Sequence, residues 1–186
     1  MSLSEKHTEE RQDRRTVLRS SLFTGILLGI GIAAFLDETI LHQLLQWHNL
    51  YWNTDQHGRL LSDGLFHIFS TLLLLWGTWR LWQGRSTWAP FQRNAIFAAI
   101  LIGMGGFNLY DGIVQHVILR LHIVNELVCS SPANQQHTFL GICMNDIPYE
   151  IVFDLIALVI LCAGIFWWRR VRHASPAQTD FSNPPT

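Results

Sequence analysis

The sequence predicts an all-α integral membrane protein, a four-helix bundle made of two helical hairpins of like orientation with both termini in the cytoplasm. Three observations carry this reading. Four apolar stretches each approach the ~20 residues that cross ~30 Å of hydrocarbon as a helix. Eleven of the thirteen Lys and Arg residues lie on one side of those stretches. The first and third stretches repeat one another without a gap, and the second and fourth do so more faintly.

The stretches run in order from about Ser21 to Leu45, Gly64 to Trp82, Ala95 to Leu121 and Tyr149 to Trp168. Tryptophans cluster at their ends (Trp47 and Trp52; Trp79, Trp82 and Trp88; Trp167 and Trp168), where amphipathic rings favour the water–lipid boundary. Ile68–Trp79 and Ala95–Phe107 are apolar all round, which a soluble bundle with polar outer faces does not tolerate. The 186 residues allow one domain, with a polar cytoplasmic tail at 1–18, the membrane domain at 19–168 and a disordered cytoplasmic tail at 169–186. Apolar residues make up 49% and charged residues 15%, so a solvated, disordered chain is excluded. A net charge of −1 excludes a basic nucleic-acid binder and leaves the lipid bilayer as the expected partner.

Lys6, Arg11, Arg14, Arg15 and Arg19 precede the first stretch, Arg80, Arg85 and Arg93 flank the link between the second and third, and Arg169, Arg170 and Arg172 follow the fourth. Only Arg59 and Arg120 stand on the other side, and the positive-inside rule therefore places both termini in the cytoplasm. A cleaved signal peptide does not fit, because its apolar stretch would run into Asp37 and Glu38. Cys129 and Cys143 share the outer loop after the third stretch, where an oxidising compartment favours a disulfide. Cys162, inside the fourth stretch, reads as packing.

At a shift of 74, Arg19, Phe23, Ile26, Leu27, Gly29, Gly31, Asp37, His42, Leu45 and His48 fall on identical residues from Arg93 to His122. The shared pattern is G-x-G-x5-D-x4-H-x5-H. At a shift of 87, Phe66, Leu74 and Gly77 meet Phe153, Leu161 and Gly164, Asp63 meets Glu150 and His67 meets Asp154. The repeats span about 19–82 and 93–168. Parallel repeats are related by an axis along the membrane normal, and a site shared by both would lie near it.

Six carboxylates fall in or beside the spans: Asp37, Glu38, Asp63, Asp111, Glu150 and Asp154. A mid-membrane acid costs on the order of 3 kcal/mol, and such residues usually mark function. Antiparallel packing gathers all six at the outer end of the bundle with several histidines. Asp63/His67, Glu150/Asp154 and Glu38/His42 are i,i+4 pairs, the spacing by which helical bundles hold metal. The expected ligands of a transition metal are His42, Asp63, His67, His116, Glu150 and Asp154. Asp37 and Asp111 follow as ligands or as acceptors that orient an imidazole. In a regular helix Asp37 and His48 stand ~16 Å apart along the axis, beyond the reach of one ion, and His42 lies ~140° round from Asp37. On the third helix Asn108, Asp111, Gln115 and His122 form one stripe and His116 faces elsewhere. His48 and His122 are expected near the interface, and whether they are ligands stays open, while His7, His57, His137 and His173 read as solvated.

The strings G-I-G-I-A-A-F-L-D-E-T-I-L-H-Q, L-S-D-G-L-F-H, N-L-Y-D-G-I-V-Q-H and Y-E-I-V-F-D resemble a family of small bacterial predicted membrane proteins known only as a domain of unknown function. The likeness covers roughly Thr24 to Trp168 and implies a bacterial inner-membrane location, in which the distribution of basic residues turns the acid-rich end toward the periplasm. More loosely the bundle is similar to copper-assembly membrane proteins of respiratory oxidases, without their Met-rich or C-x3-C motifs. S-D-x-x-x-H at Ser62–His67 resembles membrane hydrolases that hold zinc.

The function these features support is a membrane metalloprotein with iron, zinc or copper, with carboxylates enough for two ions. Its chemistry would be that of a metal-dependent oxidoreductase or hydrolase. The alternatives are a heme electron carrier, a proton relay, and metal handling for respiratory oxidase assembly. A second copy of the chain or a respiratory complex is the protein partner compatible with them.

Overall fold

The computed structural model describes residues 3–84, 90–130, 138–139 and 142–174. Its architecture is all-helical. In order come α1 (Leu3–Asp37), a π-helical segment (Glu38–Leu44), α2 (Gln56–Gly84), α3 (Pro90–Tyr110), a second π-helical segment (Asp111–Ile118) and a single 3-10 turn (Glu126–Val128). A two-residue antiparallel ladder of β1 (Thr138–Phe139) and β2 (Ile142–Cys143) precedes α4 (Ile147–His173).

Local chemistry accounts for the helix ends. Asp55 stands just before α2, and its Oδ1 accepts the Gly58 N–H at 2.8 Å, an N-terminal cap. Pro90 opens α3 and Pro148 lies in the first turn of α4, where a missing N–H costs nothing. Arg170, Arg172 and His173 close α4 against the negative end of its dipole. The helices outrun the apolar stretches because their polar first turns are helical as well. Thus α2 begins at Gln56, not Gly64, and α1 begins at Leu3, inside the segment expected as a tail. Residues beyond 174, including most of the expected C-terminal tail, lie outside the described residues.

The helices pack in the order α2, α1, α3, α4. The two central helices run parallel and touch backbone to backbone. A Cβ built on Gly29 would collide with the Ile100 carbonyl, and one built on Gly103 with the Ile26 carbonyl. These contacts exchange at the 74-residue shift, and only glycine permits them. The outer helices present Leu65, Ile68, Leu72 and Leu75 on α2 and Val152, Leu155, Ile156 and Val159 on α4 to the surroundings. All four helices are long and apolar enough to cross a membrane, and in lipid such outward faces carry no penalty.

The bundle has two unlike ends. At one, Arg14 donates to the Val171 and Ala174 carbonyls at 3.2 and 2.6 Å, closing α4 onto α1. At the other lie both π segments and the first turns of α2 and α4. There Cys129 and Cys143 form a disulfide of 2.05 Å, buried with Ile123 against Trp52 and Val128. Cys162 is free and faces outward from α4.

Candidate metal centre

The site begins where α1 and α3 stop being α-helices. A π segment bonds each N–H five residues back instead of four. Residues five apart therefore come nearly into line, whereas an α-helix sets them ~140° apart. Asp37/His42 and Asp111/His116 are both five apart. In the structure His42 Nε2 lies 3.2 Å from Asp37 Oδ2, and His116 Nε2 lies 3.2 Å from Asp111 Oδ2. The expectation that each imidazole faces away from its aspartate is overturned, because it assumed an unbroken α-helix.

The second departure follows a few residues on. Leu45 N donates to the Ile40 carbonyl at 2.8 Å and Trp47 N to Leu41 at 2.9 Å. The counterparts, Leu119 to Val114 at 2.7 Å and Leu121 to Gln115 at 2.9 Å, match at the 74-residue shift. Between these bonds Gln46 has φ 52° and Arg120 φ 54°. A left-handed residue reverses the chain, at a cost on the order of 1 kcal/mol for a side chain other than glycine. The reversal carries His48 and His122 back into the bundle, where they are 2% and 0% exposed. The ~16 Å separation expected between Asp37 and His48 does not arise, because the helix ends before His48.

Each returning histidine is held by the other half. His48 Nδ1 donates to the Val124 carbonyl at 2.7 Å, and His122 Nδ1 donates to the Leu50 carbonyl at 3.0 Å. A carbonyl only accepts, so both rings carry a hydrogen on Nδ1. Burial, reinforced by the neighbouring imidazoles of His122 and His42, holds His48 well below the usual histidine range and hence neutral. The His48 and His122 rings stack with centroids 4.8 Å apart at 22°.

The other two imidazoles are oriented by carboxylates. His42 Nδ1 sits 3.1 Å from both Asp63 Oδ1 and Glu38 Oε2, and His116 Nδ1 sits 3.0 Å from Glu150 Oε2. Asp63 also accepts from Asn49 Nδ2 at 2.6 Å and from Leu50 N at 2.7 Å, so it fixes an imidazole and a strand of linker together. In the second half these duties are divided. Glu150 takes the imidazole, while Asp146, one turn earlier, accepts from Val124 N at 3.3 Å and Asn125 N at 2.8 Å. Burial pushes the Asp146 carboxyl up to about 6, against the pull of the Asn125 amide and with repulsion from Glu150.

With all four Nδ1 atoms engaged, Nε2 of His42, His48, His116 and His122 is buried without a hydrogen-bond partner. Ligand atoms converge to within 4.8 Å of one another in two corresponding triads, Asp37/His42/His48 and Asp111/His116/His122. Donor atoms about 2.1 Å from an ion at 90–110° lie about 3.0–3.4 Å apart, and the 3.2 Å carboxylate–imidazole separations match that edge. In the second triad both atoms of that edge, Asp111 Oδ2 and His116 Nε2, are buried without a hydrogen bond. Two imidazoles and a carboxylate with open positions are a set that suits iron and related transition metals. Glu38, His42 and Asp63 form a third grouping, but Asp63 is already occupied by the linker and Gly112 stands where Glu38 would recur.

Of the expected ligands, the structure brings His42, His116, Asp37 and Asp111 into the triads and sets Asp63 and Glu150 behind them. His67 stands apart, its ring against Phe35 with centroids 5.5 Å apart and its Nδ1 unpartnered. Asp154 stands apart too, its Oδ1 buried without a hydrogen bond over Gly112, where a Cβ would collide with it. His57 and His173 are exposed, while His137 and the His7 side chain lie outside the described residues. His48 and His122 are the residues the sequence left open, and Asp146 the one it missed. The duplicated H-x5-H was the signal for the first two; nothing but burial distinguishes Asp146.

The sequence model of a family described as Predicted membrane protein (DUF2243) matches residues 24–171. The chain belongs to that family. No curated protein and no solved structure matches it.

Proposed function

We propose that this DUF2243 member is a membrane metalloprotein that holds a transition metal on the inward-facing Nε2 atoms of its histidines. The observation that carries the reading is the set of four buried Nε2 atoms without a hydrogen-bond partner, each left open by a neighbour that takes the opposite ring nitrogen. Metal-bound histidines ordinarily donate their second nitrogen in this way. The carboxylates supply the charge a divalent ion needs in a low-dielectric setting, and the ion removes their desolvation cost. Carboxylates set against Nε2 favour a bare ion over heme. Iron, zinc and copper(II) all accept this donor set.

The contacts exchanged at the 74-residue shift support descent from a duplicated hairpin, with the site on the axis between the copies. The basic residues support cytoplasmic termini, which turns the site toward the periplasm of a bacterial inner membrane. A cysteine introduced at His173 in a Cys162→Ser background should react only with reagent supplied from the cytoplasmic side. Chemistry at the ion is oxidative if the metal is iron or copper and hydrolytic if it is zinc. Elemental analysis of full-length protein purified in detergent without chelator is the direct test. Stoichiometric metal is expected. Protein that carries none, and gains none from Zn²⁺, Fe²⁺ or Cu²⁺, would sink the reading.

A further inference from the structure

Resting on the metalloprotein reading, we infer that the chain holds two ions, one per triad, and that only the Asp37/His42/His48 ion is open to a small polar ligand from solution.

Two ions follow from how the donors group. Each triad converges within its own half of the molecule. Within a triad the imidazole centroids are 4.4 Å apart, for His42/His48 and for His116/His122. Across the halves His42/His122 and His48/His116 stand 6.2 and 6.0 Å apart. The stacked pair His48/His122 forms the wall between two adjacent positions.

Unequal access follows from what covers each triad. His42 and His48 line a cleft of about 520 Å³, within the range of small-molecule sites. Its walls include Gln43, Gln46, Asn49, Gln56 and Arg59, with Gly64 at the side. The corresponding positions in the second half carry different chemistry. Gln43 and Asn49 become Val117 and Ile123, and Gly64 becomes Ile151. Gln56 becomes Cys143, tied to Cys129 and buried with Ile123. Arg59 becomes Asp146, fully buried and turned inward onto the Val124 and Asn125 amides. The amides of Gln43, Asn49 and Gln56 have thus been replaced by apolar groups and a disulfide, and the Arg59 guanidinium by a buried carboxylate. The cleft suits a small polar molecule with one donor atom for the metal and hydrogen-bonding groups for the amides.

Gly64 gives a way to close the cleft without touching a ligand, since a Cβ there meets nothing within 4 Å. The test loads full-length detergent-purified protein with Co²⁺, whose visible bands report coordination, and titrates it with azide. Two Co²⁺ per chain are expected, with azide changing the bands of one. His122→Ala should retain one Co²⁺ and the azide response; His48→Ala should retain one Co²⁺ and lose it. Gly64→Phe should keep both ions and weaken azide binding at least tenfold. One ion per chain, azide acting on both ions, or an unchanged azide response in Gly64→Phe would overturn the inference while leaving the metalloprotein reading in place. Failure to bind Co²⁺, Zn²⁺, Fe²⁺ and Cu²⁺ alike would overturn both.

Discussion

The two halves of the acid-rich end present the same three donors on different supports. In the first half Asp63 holds both His42, beside Glu38, and the linker at Asn49 and Leu50, and the triad borders a polar cleft. In the second, Glu150 fixes His116 and Asp146 fixes the backbone at Val124 and Asn125, in the half that also carries the Cys129–Cys143 disulfide. The features common to both halves are the π segment, the left-handed reversal and the crossed bond from Nδ1 to a carbonyl of the other half. Donor geometry therefore resides in the backbone path and the crossed bonds, and the outer supports are free to differ. Because each half completes the other's histidine, neither triad is expected to assemble from one hairpin alone.

The strongest break of this comparison acts on both halves at once. Gly103→Leu places a side chain where the Ile26 carbonyl lies, and overpacking at a backbone contact costs about 3 kcal/mol or more. The expected outcome is loss of the monodisperse peak in size-exclusion chromatography and of both triads' metal, whereas Gly64→Ala should leave both unchanged.

The next separates the halves. Cys129→Ser removes a cross-link spanning 14 residues, worth roughly 3 kcal/mol in the chain-entropy model. Thermal unfolding in detergent should fall by several degrees. Metal should be lost from the second triad first, as His48→Ala combined with Cys129→Ser would reveal by its residual metal content.

A smaller and sharper change is Asp146→Asn. The amide keeps one acceptor but turns an NH2 toward a backbone N–H, leaving a buried donor unmatched at a cost of about 1–3 kcal/mol. Because Val124 carries the carbonyl that orients His48, the substitution reaches across the interface. A chelator competition titration should show weaker binding at the first triad as well as the second. An effect confined to one triad would break the claim that the halves are interdependent.

The least effect is expected from His57→Ala and His173→Ala, both on exposed side chains. Metal content by elemental analysis should equal that of the wild type. A loss from either would show that the donors extend beyond the triads.

Much of this was legible in the residues themselves. Hydrophobic length marks the four spans, since a helix must cover the hydrocarbon whatever it packs against. Antiparallel connection collects the acids at one end, and the spacing of 74 matches His42 to His116 and Asp37 to Asp111. The Cys129–Cys143 pairing was legible as two cysteines sharing one loop between spans. What only the tertiary structure decided is which of these groups meet. Azimuth and rise are computable only for an unbroken helix, and α1 and α3 abandon regular geometry at Asp37 and Asp111. A change from four to five residues per bonded turn swings His42 and His116 onto their aspartates. One left-handed residue then returns His48 and His122 to the core. These departures cost local energy that a helix-forming sequence does not advertise, and the contacts that offset it, the crossed carbonyl bonds at Val124 and Leu50, come from residues more than 70 positions away in the chain.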